Sequence, residues 1–281
     1  SALYGSSAIH GIINVIAPLP AQMPAFGVAL TAGSDDYLQA RLAASTQSGA
    51  VGSGIALLAT DDGGWRDASG FNEQKLNAVQ TRSLAAGELT LRLAATRLDQ
   101  ETAGFITGED AYRDEEIARS NPDPEAYRDA HSLRMSAHYR NGSGLEWRGT
   151  LRSSRMDFLQ HFLLGQPVED NGQDSAGLLW SLAACSLLVP LIDPAGPTTE
   201  GTPAQNAIRP AGQHYDYRVE STLAAAYATW RRPLAPHWSL EAGARLEWIR
   251  YDYDNRMIDG NTDEAGMPCP GGCLYSRPSE R

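Results

Sequence analysis

From Trp238 to Trp248 the side chains alternate without a break. Trp238, Leu240, Ala242, Ala244, Leu246 and Trp248 form one set, and Ser239, Glu241, Gly243, Arg245 and Glu247 form the other. A helix would scatter both sets around its surface, whereas a strand gives each set its own face. Ten residue steps of extended chain, at roughly 3.3 Å each, make about 33 Å. A strand of a soluble sandwich averages only about five or six residues. Tilted by roughly 40°, the run rises about 25 Å, the height of the apolar band of an outer-membrane barrel, with a tryptophan where each aromatic girdle would lie.

The same period recurs along the chain. Leu38, Ala40, Leu42 and Ala44 oppose Gln39, Arg41 and Ser45. Leu89, Leu91, Leu93 and Ala95 oppose Glu88, Thr90, Arg92 and Thr96. Leu133, Met135, Ala137 and Tyr139 oppose Arg134, Ser136, His138 and Arg140, and Leu145, Trp147, Gly149 and Leu151 oppose Glu146, Arg148, Thr150 and Arg152. Near residue 223 the pattern predicts Leu223, Ala225 and Tyr227 on the apolar face. Polar faces carrying both Arg and Glu suit a water-filled or plugged lumen.

The connections alternate in length. Short turns fall at Gly49–Gly52, Leu84–Gly87, Asn141–Gly144 and Arg232–His237. Long polar connections fall at Asp61–Gln74, Asp99–Ala130, Asp157–Ser175 and after Asp252. Tight periplasmic turns and long external loops produce this alternation in outer-membrane barrels. The Ser34–Asp36 turn is short on the long-loop side. One segment departs from the pattern: Ala176–Ile192 is almost continuously apolar. It is shorter than the roughly 20 residues of a membrane helix and contains Pro190. Two strands are expected between Ser175 and Tyr215, but the residues offer one strand and a Pro/Gly-rich tail.

Composition narrows the function. The net charge of −11 over 281 residues, without a basic cluster, argues against a nucleic-acid partner. A mean hydropathy of −0.35 excludes a greasy helical membrane protein but not a barrel, half of whose strand residues face a polar lumen. Five histidines follow His10, at 131, 138, 161, 214 and 237. None forms a zinc-binding pair on a helix, and neither a phosphate loop nor a nucleophile elbow is present. No cofactor and no metal site are expected, and the chain reads as a non-enzyme. The carboxylates Glu109, Asp110, Asp114, Glu115 and Glu116 read as a solvated acidic loop. Cys269 and Cys273 are close enough in sequence to close a small disulfide loop in an oxidising compartment, and Cys185 reads as a buried thiol.

The first eighteen residues are the most specific signal. Ser1 to Pro18, SALYGSSAIHGIINVIAP, resembles the end of the plug domain of TonB-dependent outer-membrane receptors. Leu3, Tyr4, Gly5, Gly11 and Asn14 carry the match, and Ser7 and His10 depart from it. Gly5 and Gly11 would let the chain turn tightly before the β-run Ile12 to Ile16. Further on, DDGGWRDASGF at Asp61 to Phe71 and the run Met156 to Ser175 resemble external loops of siderophore-type members. The resemblance implies an all-β fold: a transmembrane antiparallel barrel of 22 strands with a plugged lumen. About half of that barrel would be present. Residues 1–20 would end the plug and residues 21–281 would form the N-terminal half of the barrel.

The implied function is TonB-dependent uptake of a scarce ligand across the bacterial outer membrane, with a ferric siderophore favoured and cobalamin, heme or a glycan as alternatives. A passive porin would share the alternation but lack the plug-end motif. The implied partners are TonB with its inner-membrane energising complex, an iron chelate and outer-membrane lipid. The segment that contacts TonB would precede the residues present. Ligand candidates at the barrel mouth are Phe158, Gln160, His161 and Phe162, with Tyr251, Tyr253 and Arg256 as a second group; aromatic faces beside hydrogen-bonding edges suit an organic chelate. Arg92, Arg134, Arg148, Arg152 and Arg245 are expected on the lumen face, paired with carboxylates of the lumen wall and plug.

Overall fold

A computed structural model describes residues 16–141, 146–161, 168–182, 185–194, 217–235 and 238–255. The plug-end residues Leu3, Tyr4, Gly5, Gly11 and Asn14, the ligand candidates Phe162 and Arg256, and the pair Cys269 and Cys273 lie outside the described residues.

Eleven strands form one antiparallel sheet in sequence order. They are β1 Phe26–Ala32, β2 Leu38–Ser48, β3 Val51–Asp62, β4 Phe71–Leu84, β5 Gly87–Glu101, β6 Tyr127–Asn141, β7 Glu146–His161, β8 Val168–Leu182, β9 Cys185–Pro194, β10 Tyr217–Ala235 and β11 Trp238–Asn255. Each strand pairs with the next, and β1 and β11 are the two edges of the sheet. Such a meander needs only hairpin connections. At the β2–β3 turn, Gly49 takes a φ of +54°, a left-handed conformation that glycine adopts without steric cost.

The register converts the sequence alternation into two continuous faces. Val28 pairs with Leu42, Leu42 with Leu57 and Leu57 with Leu76. Across the next strands Leu93 pairs with Met135, Met135 with Leu151 and Leu151 with Leu178. These apolar rungs stay open to their surroundings: Leu30 is 73% exposed, Met135 48% and Leu246 77%. An apolar face of this extent has no place in water, and in a bilayer it meets hydrocarbon. Two hollows on this face, of about 570 and 700 Å³, are grooves among the same aliphatic side chains.

The opposite face is the inner one. A 3-10 turn, Pro20–Gln22, lies on it, with Pro20 buried. The Ser45 hydroxyl donates to the Met23 and Pro24 carbonyls at 3.1 and 3.0 Å. The Arg92 guanidinium donates to the Ala17 and Pro18 carbonyls at 3.0 and 3.1 Å. The chain therefore enters the sheet from its inner side, where a plug would sit. A Cβ at Gly54 would strike the Met23 side chain, so Gly54 makes room for this entry.

Three expectations change. The apolar run Ala176–Ile192 is neither a helix nor an anomaly: it is the end of β8, a hairpin turn at 183–184, and β9. It reads as continuous because apolar residues occupy both parities of these strands. The stretch Asp157–Ser175 is mostly strand, since β7 continues to His161 and β8 begins at Val168. Beyond the membrane both faces of a strand meet water, so polar composition there mimics a loop. On β10 the predicted face is inverted. Ala224 pairs with Trp248 and Ala226 with Leu246 on the outer face, whereas Ala225 is buried on the inner one. The run Leu223–Ala226 is apolar at both parities, so only the neighbouring strand decides which side faces out.

Candidate functional site

The long connections gather at one end of the sheet and three of them are tied together. The β3–β4 loop holds the β5–β6 loop through Arg66, whose Nη2 and Nε donate to the Ser120 carbonyl at 2.6 and 3.1 Å. The Asp67 amide donates to the Arg119 carbonyl at 2.8 Å. The Asn121 side chain donates to the Ala68 carbonyl at 2.9 Å and accepts from the Gly104 and Asp123 amides. Arg119 also lies 3.6 Å from Asp35 of the β1–β2 turn and over the Trp65 ring at 5.5 Å. These contacts make a rigid platform.

The acidic residues of the β5–β6 loop have structural partners. Asp114 caps the short helix α1, Glu115–Arg119, by accepting from the Glu116 and Ile117 amides. Asp110 lies 3.4 Å from Arg113, and Glu115 lies 3.3 Å from Arg119. Among the described residues, no three His, Cys, Asp or Glu side chains stand where they could hold a metal ion.

Beside this platform, the inner face of the mouth carries a second arrangement. Gln160 on β7 donates to Glu169 on β8 at 2.9 Å, and Asn171 donates to the other oxygen of the same carboxylate at 3.2 Å. Phe158 pairs with Asn171 in the register. From β10 and β11, Tyr217 and Tyr253 bring their rings to 5.4 Å at an interplanar angle of 35°. Burial pushes the Tyr217 hydroxyl pKa up, and Tyr253 and the Glu169 carboxylate push it further. Glu169 therefore links the two groups of ligand candidates. Tyr251 shares the inner face with Tyr253, two positions on, and is 62% exposed. An aromatic pair, an anchored carboxylate and two amides offer stacking surfaces beside oriented polar edges.

His161 belongs elsewhere. It follows Gln160 on the strand and so points to the opposite face. Its Nε2 lies 2.8 Å from Glu125 and its Nδ1 lies 3.8 Å from Asp123, with the imidazole nearly buried. A hydrogen bond from its own amide, followed by the bond to His161, holds the Glu125 carboxyl below its ordinary range. The sequence grouping of His161 with Phe158 and Gln160 is thus split by strand parity. Glu169, Asn171 and Tyr217 went unmarked because Asp157–Ser175 read as a loop, where parity assigns no face.

The lumen-face arginines divide as well. Arg92 binds main-chain carbonyls rather than carboxylates. Arg148 pairs with Glu146, which also meets His138 at 2.8 Å. Arg134 and Arg152 face each other across β6 and β7. The side chain of Arg245 lies outside the described residues.

No protein-family model matches the sequence, and no curated protein does. Solved structures do match. The ferric-catecholate import receptor Fiu from E. coli K12, in its closed form, is 15% identical with a TM-score of 0.61; the alignment covers 99% of this chain and 48% of that one. The ferric citrate transporter FecA in its unliganded form is 12% identical with a TM-score of 0.56, over 82% of this chain and 38% of that one. The siderophore receptor PiuA from Acinetobacter baumannii is 12% identical with a TM-score of 0.55, over 82% and 43%. The chain has the fold of part of these receptors and spans about half their length or less. The eleven-stranded sheet is the partial antiparallel barrel that the sequence predicts.

Proposed function

We propose that this chain is the plug-to-barrel portion of a TonB-dependent receptor that imports a ferric siderophore across the bacterial outer membrane. The observation that carries the reading is the two-faced sheet, apolar outside and polar inside, with its long connections at one end. The fold likeness to three iron-chelate receptors and the plug-end resemblance of Ser1 to Pro18 support it. In this reading residues 1–20 close the plug and residues 21–281 begin the barrel. The inner-face mouth group of Phe158, Gln160, Glu169, Tyr217, Tyr251 and Tyr253 contacts the chelate. Ligand binding then favours a plug state that TonB can engage, which requires that the two plug states differ in their contacts with the ligand.

Ferric-chelate binding by the intact receptor tests this assignment. A panel of catecholate, hydroxamate and citrate-type iron complexes is titrated against the wild type and against Tyr253→Ala and Glu169→Gln. The expected result is saturable binding of one class, weakened about tenfold by either substitution, the size of one lost polar or stacking contact of roughly 1.4 kcal/mol. Binding of cobalamin, heme or a glycan in place of every iron complex would overturn the ligand assignment while leaving the barrel intact.

A further inference from the structure

The outer face carries one more pattern, immediately beyond the apolar band on the loop side. On β5 the apolar series Leu89, Leu91, Leu93 and Ala95 gives way to Arg97 and then Asp99. On β6, moving outward, Leu133 gives way to His131 and then Asp129. On β7 Arg155 and then Asp157 follow Leu151 and Ser153, and on β11 Arg250 and then Asp252 follow Trp248. The register aligns three of these strands: Arg97, His131 and Arg155 form one rung, and Asp99, Asp129 and Asp157 form the next rung out. Neighbouring strands lie roughly 4.8 Å apart, so Arg97 and Arg155 stand about 10 Å apart along the rung.

Side-chain geometry gives the rungs different tasks. The Arg97 Nε and Nη2 donate to Asp99 at 3.0 and 3.5 Å, and the Arg155 Nε and Nη2 donate to Asp157 at 2.7 and 3.2 Å. Each aspartate thus holds one edge of a guanidinium. Among the described residues no hydrogen bond engages Nη1 of either arginine, and the two side chains are 66% and 51% exposed. The inner face has no such rung above its middle. Basic groups set at one depth, where hydrocarbon ends, are at the depth of lipid phosphates, which arginine binds as a planar, permanently charged donor.

We infer that the rung of Arg97, His131 and Arg155, continued by Arg250 on β11, binds the phosphorylated headgroups of outer-leaflet lipid. This rests on the barrel reading above. The partner is an annular lipid with anionic phosphates, distinct from the transported ligand, and the aspartate rung orients the arginines toward it.

The intact receptor in non-ionic detergent, with lipid A or phosphatidylcholine added to the micelles, gives the test. Bound lipid is counted by native mass spectrometry for the wild type, for the combined R97Q/R155Q/R250Q variant, and for R134Q/R152Q, which alters the inner face. Heat-dependent gel mobility reports an intact barrel in each sample, so a failure of the barrel reading shows there and not in the lipid count. Should the triple variant not fold, R155Q alone takes its place. The wild type is expected to retain lipid A over phosphatidylcholine, with a several-fold loss in the outer-face variant and none in R134Q/R152Q. Equal retention by wild type and outer-face variant, or an equal loss in the inner-face variant, would overturn the inference.

Discussion

Replacing Met135 with arginine separates a membrane barrel from a soluble sheet. Met135 sits on the outer face of β6, four positions from His131 and four from Tyr139. At roughly 3.4 Å per residue each interval is about 13 Å of strand, or about 10 Å of height at a tilt of roughly 40°. Met135 therefore lies near the midplane of an apolar band about 25 Å tall. Arginine at that depth costs about 2–4 kcal/mol, a roughly 30- to 900-fold change in the folding equilibrium at about 1.4 kcal/mol per factor of ten. Ser132 is exposed on the inner face of the same strand, so Ser132→Arg is the matched control and should cost less than about 1 kcal/mol. If the outer face met water, Met135→Arg would be a surface change within about 0.5 kcal/mol. Urea titration of the intact receptor folded into phosphatidylcholine vesicles reads both values. Equal costs for the two substitutions would refute the assignment of the outer face to lipid.

Other outcomes follow from particular contacts. Arg66→Ala removes two hydrogen bonds to the Ser120 carbonyl; at about 2 kcal/mol for a bond from a charged donor, the Asp67 amide should exchange roughly 30-fold faster by hydrogen exchange. Glu125 has its folded pKa below its ordinary value of 4.5, so its stabilising contribution is complete above that value and is lost as pH falls through the lower folded one. Protease resistance of the β5–β6 loop should therefore hold above pH 4.5 and fall in more acid medium, and Glu125→Gln should remove this pH dependence. Gly54→Leu places side-chain atoms against Met23 and Val79; overpacking costs about 1–3 kcal/mol, and limited proteolysis should cut more readily near Met23.

Period and parity made most of the fold legible. Where apolar and polar residues alternate, as in Leu89–Thr96 or Trp238–Trp248, strand, face and neighbour follow from the residues. The same logic fails where the two faces are chemically alike. At Leu223–Ala226 both are apolar, and at Met156–Ser175 both are polar, so composition cannot tell inside from outside or strand from loop. The hairpin at 183–184 was hidden for a related reason: its turn residues, Ala183 and Ala184, carry no turn signal. The site was legible in part. Phe158, Gln160 and Tyr253 could be picked out by type, but their meeting through Glu169 depends on register across β7 to β11. The lacing of Arg66 and Arg119 to distant loops depends on main-chain carbonyls, whose positions no residue name records.

Energy-coupled accumulation is the most direct test of the functional account. Cells expressing the intact receptor are given labelled ferric siderophore with and without a working TonB, alongside cells lacking the receptor. The account predicts accumulation that requires both the receptor and TonB. Accumulation that continues without TonB, in proportion to the external concentration, would contradict it and identify a passive pore.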